Sequence, residues 1–112
     1  MNFVSGDVVL VDLGTIPSGH EQDGIRPAIF VYGEGGVSLV IPLSTNTARL
    51  RFTATLRILP DATNMLSKPS VALVFQMRAV DSQRLLKRIG TLGTKDKRAL
   101  NRLMLRTITT LK

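Results

Sequence analysis

Short apolar runs alternate with turn-forming residues along most of this chain, and only its last fifth carries apolar residues at helical spacing. Asp7-Val8-Val9-Leu10-Val11-Asp12-Leu13 stands between Gly6 and Gly14 and is rich in β-branched residues, which predicts a mostly buried strand. Pro27 to Tyr32 predicts a second strand and Val37 to Leu43 a third, the latter ending at the polar group Ser44-Thr45-Asn46. Gly33-Glu34-Gly35-Gly36 between them predicts a hairpin turn. Upstream, Gly14 to Gly24 reads as a polar loop with Gly14, Pro17, Gly19 and Gly24 as its turn residues.

Arg51 to Ile58 alternates polar and apolar residues. Phe52, Ala54, Leu56 and Ile58 share one face, and Arg51, Thr53, Thr55 and Arg57 the other, which predicts a strand with one wet face. Ser70 to Gln76 reads as a buried strand, Val80 to Lys87 as a short helix with Asp81 near its start, and Arg88 to Leu92 as a short strand. Thr94 is placed to cap a final helix, with Asp96 favoured in its first turn by the helix dipole. Leu100, Leu103, Met104, Ile108 and Leu111 mark the buried stripe of that helix, and Lys95, Arg98, Arg102 and Arg106 lie largely off it. The expected fold class is mainly β with helices: five or six antiparallel strands closed by one C-terminal helix into a small barrel or curled sheet.

The 112 residues fit a single domain, 1–112, and suffice to bury a core without covalent staples. There is no cysteine, which excludes a disulfide framework and thiolate chemistry and suits a reducing compartment. The single histidine cannot build a zinc site alone, so no metal and no cofactor is expected. The apolar start is interrupted by Asp7 and Asp12, unlike a secretory leader, and no stretch approaches the roughly 18 apolar residues of a membrane span. A cytoplasmic protein without membrane contact is the expectation.

Charge changes this picture. The first 77 residues carry five Lys/Arg against six Asp/Glu, whereas residues 78–112 carry ten against two. A polyanionic partner, either nucleic acid or an acidic protein segment, suits that asymmetry; an ordinary solvated helix face accounts for it equally. The loop GHEQDGIRP, Gly19 to Pro27, then stands out, because a plain turn has no need of a histidine, two acids, a glutamine and an arginine. Cleavage of RNA through its own 2′-hydroxyl requires a proton acceptor, a proton donor to the leaving 5′-oxygen, and positive charge on the phosphorane oxygens. Arg26 supplies a permanent cation with a planar donor fork, and His20, with an ordinary pKa of about 6.5, titrates near working pH. Glu21 could serve as a base or position Arg26. Each residue also has a plainer reading, Arg26 as a paired strand residue ahead of Pro27 and His20 as an ordinary loop residue.

Four segments in order, GDVVLVDLG, GHEQDGIRPAIFV, VIPLSTN and SVALVFQMRAVD leading to RIGTL, resemble the MazF/PemK (Kid) toxins of bacterial toxin–antitoxin modules. The resemblance runs from about Gly6 to Leu92, and its most specific part is GHEQ-x-G-x-RP. It implies an SH3-like barrel and a homodimer that cuts single-stranded RNA sequence-selectively without metal. It also implies an antitoxin whose acidic segment covers the RNA site. CcdB toxins, which bind gyrase, share the fold, so a gyrase-binding toxin and a catalytically weakened RNA- or antitoxin-binding relative are the alternatives.

Carried onto this sequence, the resemblance implies catalytic roles for Arg26, for Glu21 and His20, and for a hydroxyl at the end of the third strand, here Ser44, with Thr45 the next candidate. Gln22, Asn46 and Gln76 would line the groove, and Arg78 the groove or the dimer contact. The departure lies in the VALVFQMRAVD segment, where many relatives carry an acid before the glutamine and Kid-like members an arginine two residues earlier. Here those positions are Phe75 and Leu73, neither able to move a proton. Phe75 could stack an RNA base or belong to the core.

Overall fold

The computed structural model describes residues 2–14 and 24–110. Its first strand, β1, is Asp7–Asp12, and β2 follows at Ile25–Glu34. β2 turns directly into β3, Val37–Ser44, through Gly35 and Gly36, both at positive φ (59° and 81°). A two-residue hairpin of this hand needs positive φ at both positions, so two glycines close it without steric cost. At its base the Tyr32 hydroxyl donates to the Glu34 carboxylate, which holds the phenol above its usual pKa.

β4 is Thr55–Ile58, β5 Ser70–Leu73, β6 Arg78–Asp81 and β7 Leu85–Thr91, and the chain ends in α1, Thr94–Thr109. The strands pair in the order β4-β5-β3-β2-β1-β7, with β6 on β3 as well, and every pairing is antiparallel. The path does not close: among the described residues β4 and β7 are its two ends. The architecture is therefore a curled antiparallel sheet with one C-terminal helix.

Several expectations need correction. The strand drawn from Arg51 is only Thr55–Ile58, because Thr47–Arg51 is a 3-10 turn capped by Asn46, whose Oδ1 accepts from Ala48 N at 3.1 Å. The strand Ser70 to Gln76 stops at Leu73, and Val74–Gln76 is another 3-10 turn. The helix Val80 to Lys87 is absent: β6 runs through Asp81, whose carboxylate accepts from Gln83 N and caps the single turn Ser82–Arg84. β7 then begins at Leu85, ahead of the expected Arg88. Gly93, not Thr94, is the N-cap of α1. On α1, Leu100 and Leu103 are buried and Met104 is partly so, but Ile108 is exposed, and Leu111 lies outside the described residues.

Period-2 alternation divides the core into two clusters on opposite faces of the sheet. Val8, Ile29, Ile41 and Leu43 pack with Ile58, Ala72, Val74 and Leu92 under Leu100 and Leu103 of α1. Val9, Val11, Ala28, Phe30 and Val40 form the other cluster with Leu13 and Leu85. Asp7, although buried, is paired: its Oδ2 accepts from Arg88 Nε at 2.8 Å and from Val4 N at 2.9 Å.

The segment from Leu59 to Pro69 ties the two ends of the sheet together. Asn64, fully buried, accepts through Oδ1 from Asp61 N and Leu66 N and donates through Nδ2 to Leu59 O. The adjacent Thr63 carbonyl accepts from Thr91 N of β7 at 2.9 Å. Gly90 permits this approach, since a Cβ there would sit 2.5 Å from the Asn64 carbonyl oxygen. Gly90→Ala is expected to cost about 1–3 kcal/mol by overpacking, read as a lower urea midpoint; an unchanged midpoint would show that the loop yields freely. Asp61 accepts from Asn64 N, Thr63 Oγ1 and Thr63 N, and the first two of these are the leading reasons its carboxyl titrates below 3.8. A folded pKa below the unfolded one contributes stability above the unfolded value that is lost as pH falls through the folded one. Stability should thus fall as pH drops below 3.8, less steeply in Asp61→Asn, as checked by melts across that range.

Candidate functional site

The site is built on β3. One edge of β3 pairs with β2 from Val37 to Pro42, in a register that sets Ala28 against Pro42, Ile29 against Ile41 and Phe30 against Val40. Arg26 and Ser44 each lie two residues beyond that last pair, Ala28 with Pro42, on their own strands. The other edge is shared: Val37 to Val40 pair with β6, and Leu43 and Ser44 with β5. The Val74–Gln76 turn connects these two partners, and so falls beside the middle of β3.

Residues directly opposite in an antiparallel pair project to one face, and residues two apart on a strand share it. Val40, Pro42 and Ser44 therefore face the same way as Ala28 and Arg26. Arg78, opposite Val40, joins them. Arg26 is also the register partner of Val11 on β1. The arrangement thus puts two guanidiniums and a hydroxyl on one side of the β2–β3–β6 surface, on the face away from α1. Arg26 is exposed and Arg78 half-buried, whereas Ser44 is only 5% exposed.

Ser44 is held in place from within its own segment. Its Oγ accepts from Asn46 N at 3.1 Å, and Asn46 in turn caps the Thr47–Arg51 turn. A hydroxyl fixed this way keeps its own proton available for donation. Thr45 and Asn46 are exposed beside it. Gln76 is nearly buried at 9% exposure, and, like Arg26 and Arg78, it is engaged by neighbouring groups. His20, Glu21 and Gln22 lie outside the described residues. Among the described residues no three His, Cys, Asp or Glu side chains gather to hold a metal ion, and no helix is long and apolar enough to cross a membrane.

Phe75 takes neither of its expected places cleanly. It is 45% exposed, and its ring packs on Phe52 with centroids 5.1 Å apart and planes inclined at 51°. Leu73, by contrast, is fully buried. Phe52 was expected on the dry face of a strand but is 37% exposed, with the Arg51 guanidinium 4.6 Å from its ring centroid. Arg49, on the turn between Ser44 and this pair, has a buried Nε without a hydrogen-bond partner among the described residues. The role of residues 47–53 in shaping this surface was hidden by their apparent strand alternation. The signal that could have exposed it is the run TARLRF, which carries two arginines and is followed by no acid before Asp61.

The sequence from residue 5 to residue 108 matches the family model of the PemK-like, MazF-like toxin of type II toxin–antitoxin systems. No curated protein matches the sequence. Among solved structures, MazF from Deinococcus radiodurans superposes with a TM-score of 0.75 at 19% identity, over 94% of each chain. The Mycobacterium tuberculosis toxin MazF-mt6 gives 0.70 at 18%, over 92% of this chain and 96% of its own. A MazE–MazF structure from D. radiodurans gives 0.65 at 23%, over 96% of both. At these identities the structural likeness establishes the shared fold, and the family match covers nearly the whole chain. The chain therefore belongs to the PemK-like, MazF-like toxins of type II toxin–antitoxin systems.

Proposed function

We propose that the protein is a metal-independent endoribonuclease that cuts single-stranded RNA by attack of a 2′-hydroxyl on the adjacent phosphorus. The observation that carries this reading is the common face of Arg26 and Ser44 on β2 and β3 in a chain of this family. Arg26 binds the phosphorane oxygens through its donor fork and helps protonate the departing 5′-oxygen. Ser44 donates its hydroxyl proton to a phosphate oxygen. Glu21 or His20 takes the proton of the attacking 2′-hydroxyl. The products are a 2′,3′-cyclic phosphate and a 5′-hydroxyl; the proton that Glu21 or His20 takes from the 2′-hydroxyl replaces the one that Arg26 gives to the 5′-oxygen, so the site ends as it began. Gln22, Thr45, Asn46 and Gln76 contact base edges or riboses, and Arg78 on the same face attracts the strand.

A homodimer and an acidic antitoxin segment complete the proposal. The basic stretch from Arg78 onward favours encounter with either polyanion. Phe75 and the buried Leu73 favour a second reading, in which the chain binds RNA or antitoxin but cuts poorly, because neither residue can serve as an acid or base.

The test is incubation of the purified protein with a long RNA in EDTA, with mapping of product ends. Cleavage leaving cyclic or 3′-phosphate ends is expected, and Arg26→Ala should slow it about 100-fold or more. A metal requirement, or Arg26→Ala cutting at the wild-type rate, rejects the assignment. Intact RNA with persistent, salt-sensitive binding supports the second reading instead. Ser44→Ala is expected to lose activity too, together with about 1 kcal/mol of stability, because Asn46 N loses its acceptor. A urea titration beside the cleavage assay separates the two effects.

A further inference from the structure

Where Thr53 and Ala54 ahead of β4, the Val74–Gln76 turn and the end of α1 meet, a cavity of about 380 Å³ opens. Its apolar surface comes from Ala54, Phe75 and Leu103, and its rim from Thr53, Thr107 and Arg106. No strand or helix of the described residues fills it. The aromatic ring at its wall is braced rather than loose: Phe52 packs against Phe75, and Arg51 lies over Phe52. Phe52 itself does not line the cavity, so its part is to position Phe75.

The charges around this cavity are of one sign. Arg49, Arg51 and Arg57 border it in sequence, with no acid between Glu34 and Asp61. Along α1, Arg98, Arg102 and Arg106 are exposed, and the helix has no acid after Asp96. Residues four apart on a helix share a face, so these three arginines form a row ending at Arg106 on the rim. An apolar slot with an exposed aromatic wall, reached along a row of guanidiniums, matches one chemistry: an unpaired nucleobase entering the slot while its phosphates follow the cations. An acidic peptide would use the cations but leave the slot without a planar occupant.

We propose that this cavity is a nucleobase-stacking subsite of single-stranded RNA, with Phe75 as the stacking wall and Arg106 on the adjoining phosphate. The proposal rests on the ribonuclease reading and adds to it a binding element separate from Arg26 and Ser44. Phe75 then contributes substrate grip, a service that needs no proton transfer.

The test uses the full chain and a fully 2′-O-methylated single-stranded RNA, which has no 2′-hydroxyl free to attack. Phe75→Ala should weaken binding between about 5-fold and about 100-fold, while Phe75→Tyr and Phe75→Trp retain it. Arg106→Ala should weaken binding and lower the slope of log affinity against log salt by about 0.7. Wild-type affinity in Phe75→Ala overturns the subsite. So does sedimentation showing that Phe75→Ala converts a dimer to monomers, because the slot would then be a contact between copies. Ultraviolet crosslinking of wild-type protein to 4-thiouridine RNA tests the same point without any substitution. Crosslinks at Phe75 support the subsite, and crosslinks only elsewhere overturn it. Failure of the ribonuclease reading looks different: natural RNA stays intact with the wild-type protein and with every variant at 75.

Discussion

Everything in this molecule is arranged around β3, a strand with hydrogen-bonding partners on both edges and two different partners on one of them. A strand so committed resists slipping, because a shift of one residue would carry Ile41 and Leu43 into the cluster of Val9 and Phe30 and Val40 into the one under α1, breaking both packings. That fixed register sets Ser44 at the strand's end and Arg26 on the same face of β2. It also fixes where the exchange of partners occurs, beside the middle of β3, and hence where Phe75 and Gln76 emerge. The proposed catalytic face and the proposed stacking slot are thus two consequences of one pairing pattern.

The exchange of partners also accounts for a sheet that curls without closing. β6 and β5 approach the same edge of β3 at different points, so the surface must bend between them, and the Val74–Gln76 turn takes up the bend. At the far ends the backbone ladder does not meet. Asn64 and the Thr63 carbonyl bridge that gap with side-chain and loop hydrogen bonds, in a space that only glycine at 90 leaves open. A buried polar side chain with its partners satisfied is a specific joint; with one of them missing it becomes a liability of comparable size.

The strands around the first hairpin were legible because their cues are local: β-branched runs bounded by glycine, and a turn whose two glycines match a required backbone hand. The same cues misled between residues 51 and 58 and between 80 and 87. Alternation in Arg51-Phe52-Thr53 imitated a strand, but Asn46 starts a 3-10 turn there and the chain is bent before β4 can pair. Asp81 resembled a helix cap and does cap, yet only a single turn, because the ladder with β3 holds residues 78–81 extended. For the site, residue types in GHEQDGIRP pointed to phosphate chemistry, but the common face of Arg26 and Ser44 depends on a strand register that composition cannot state. Phe52 was missed for the same reason: its partner is 23 positions away in sequence and joins it only through the fold.

Phe75, which cannot move a proton, bears on how the proposed reaction divides binding from chemistry. Arg26 and Ser44 can stabilise charge, but charge stabilisation alone leaves the 2′-hydroxyl proton without an acceptor. In the proposed reaction that task would fall to His20 or Glu21, and so to a single segment of the chain. Fewer proton acceptors mean a lower ceiling on the chemical step, whereas tighter holding of the strand raises the time RNA spends near Arg26. Such grip helps only if it acts more strongly as the transition state forms, since uniform binding leaves the barrier from the bound complex unchanged. The slot lies against α1, whereas Arg26 and Ser44 lie on the face away from it, so a base held against Phe75 restrains the strand at a distance from the reacting phosphate. Its contribution is then to affinity, and the barrier from the bound complex is left to Arg26, Ser44 and the proton acceptor.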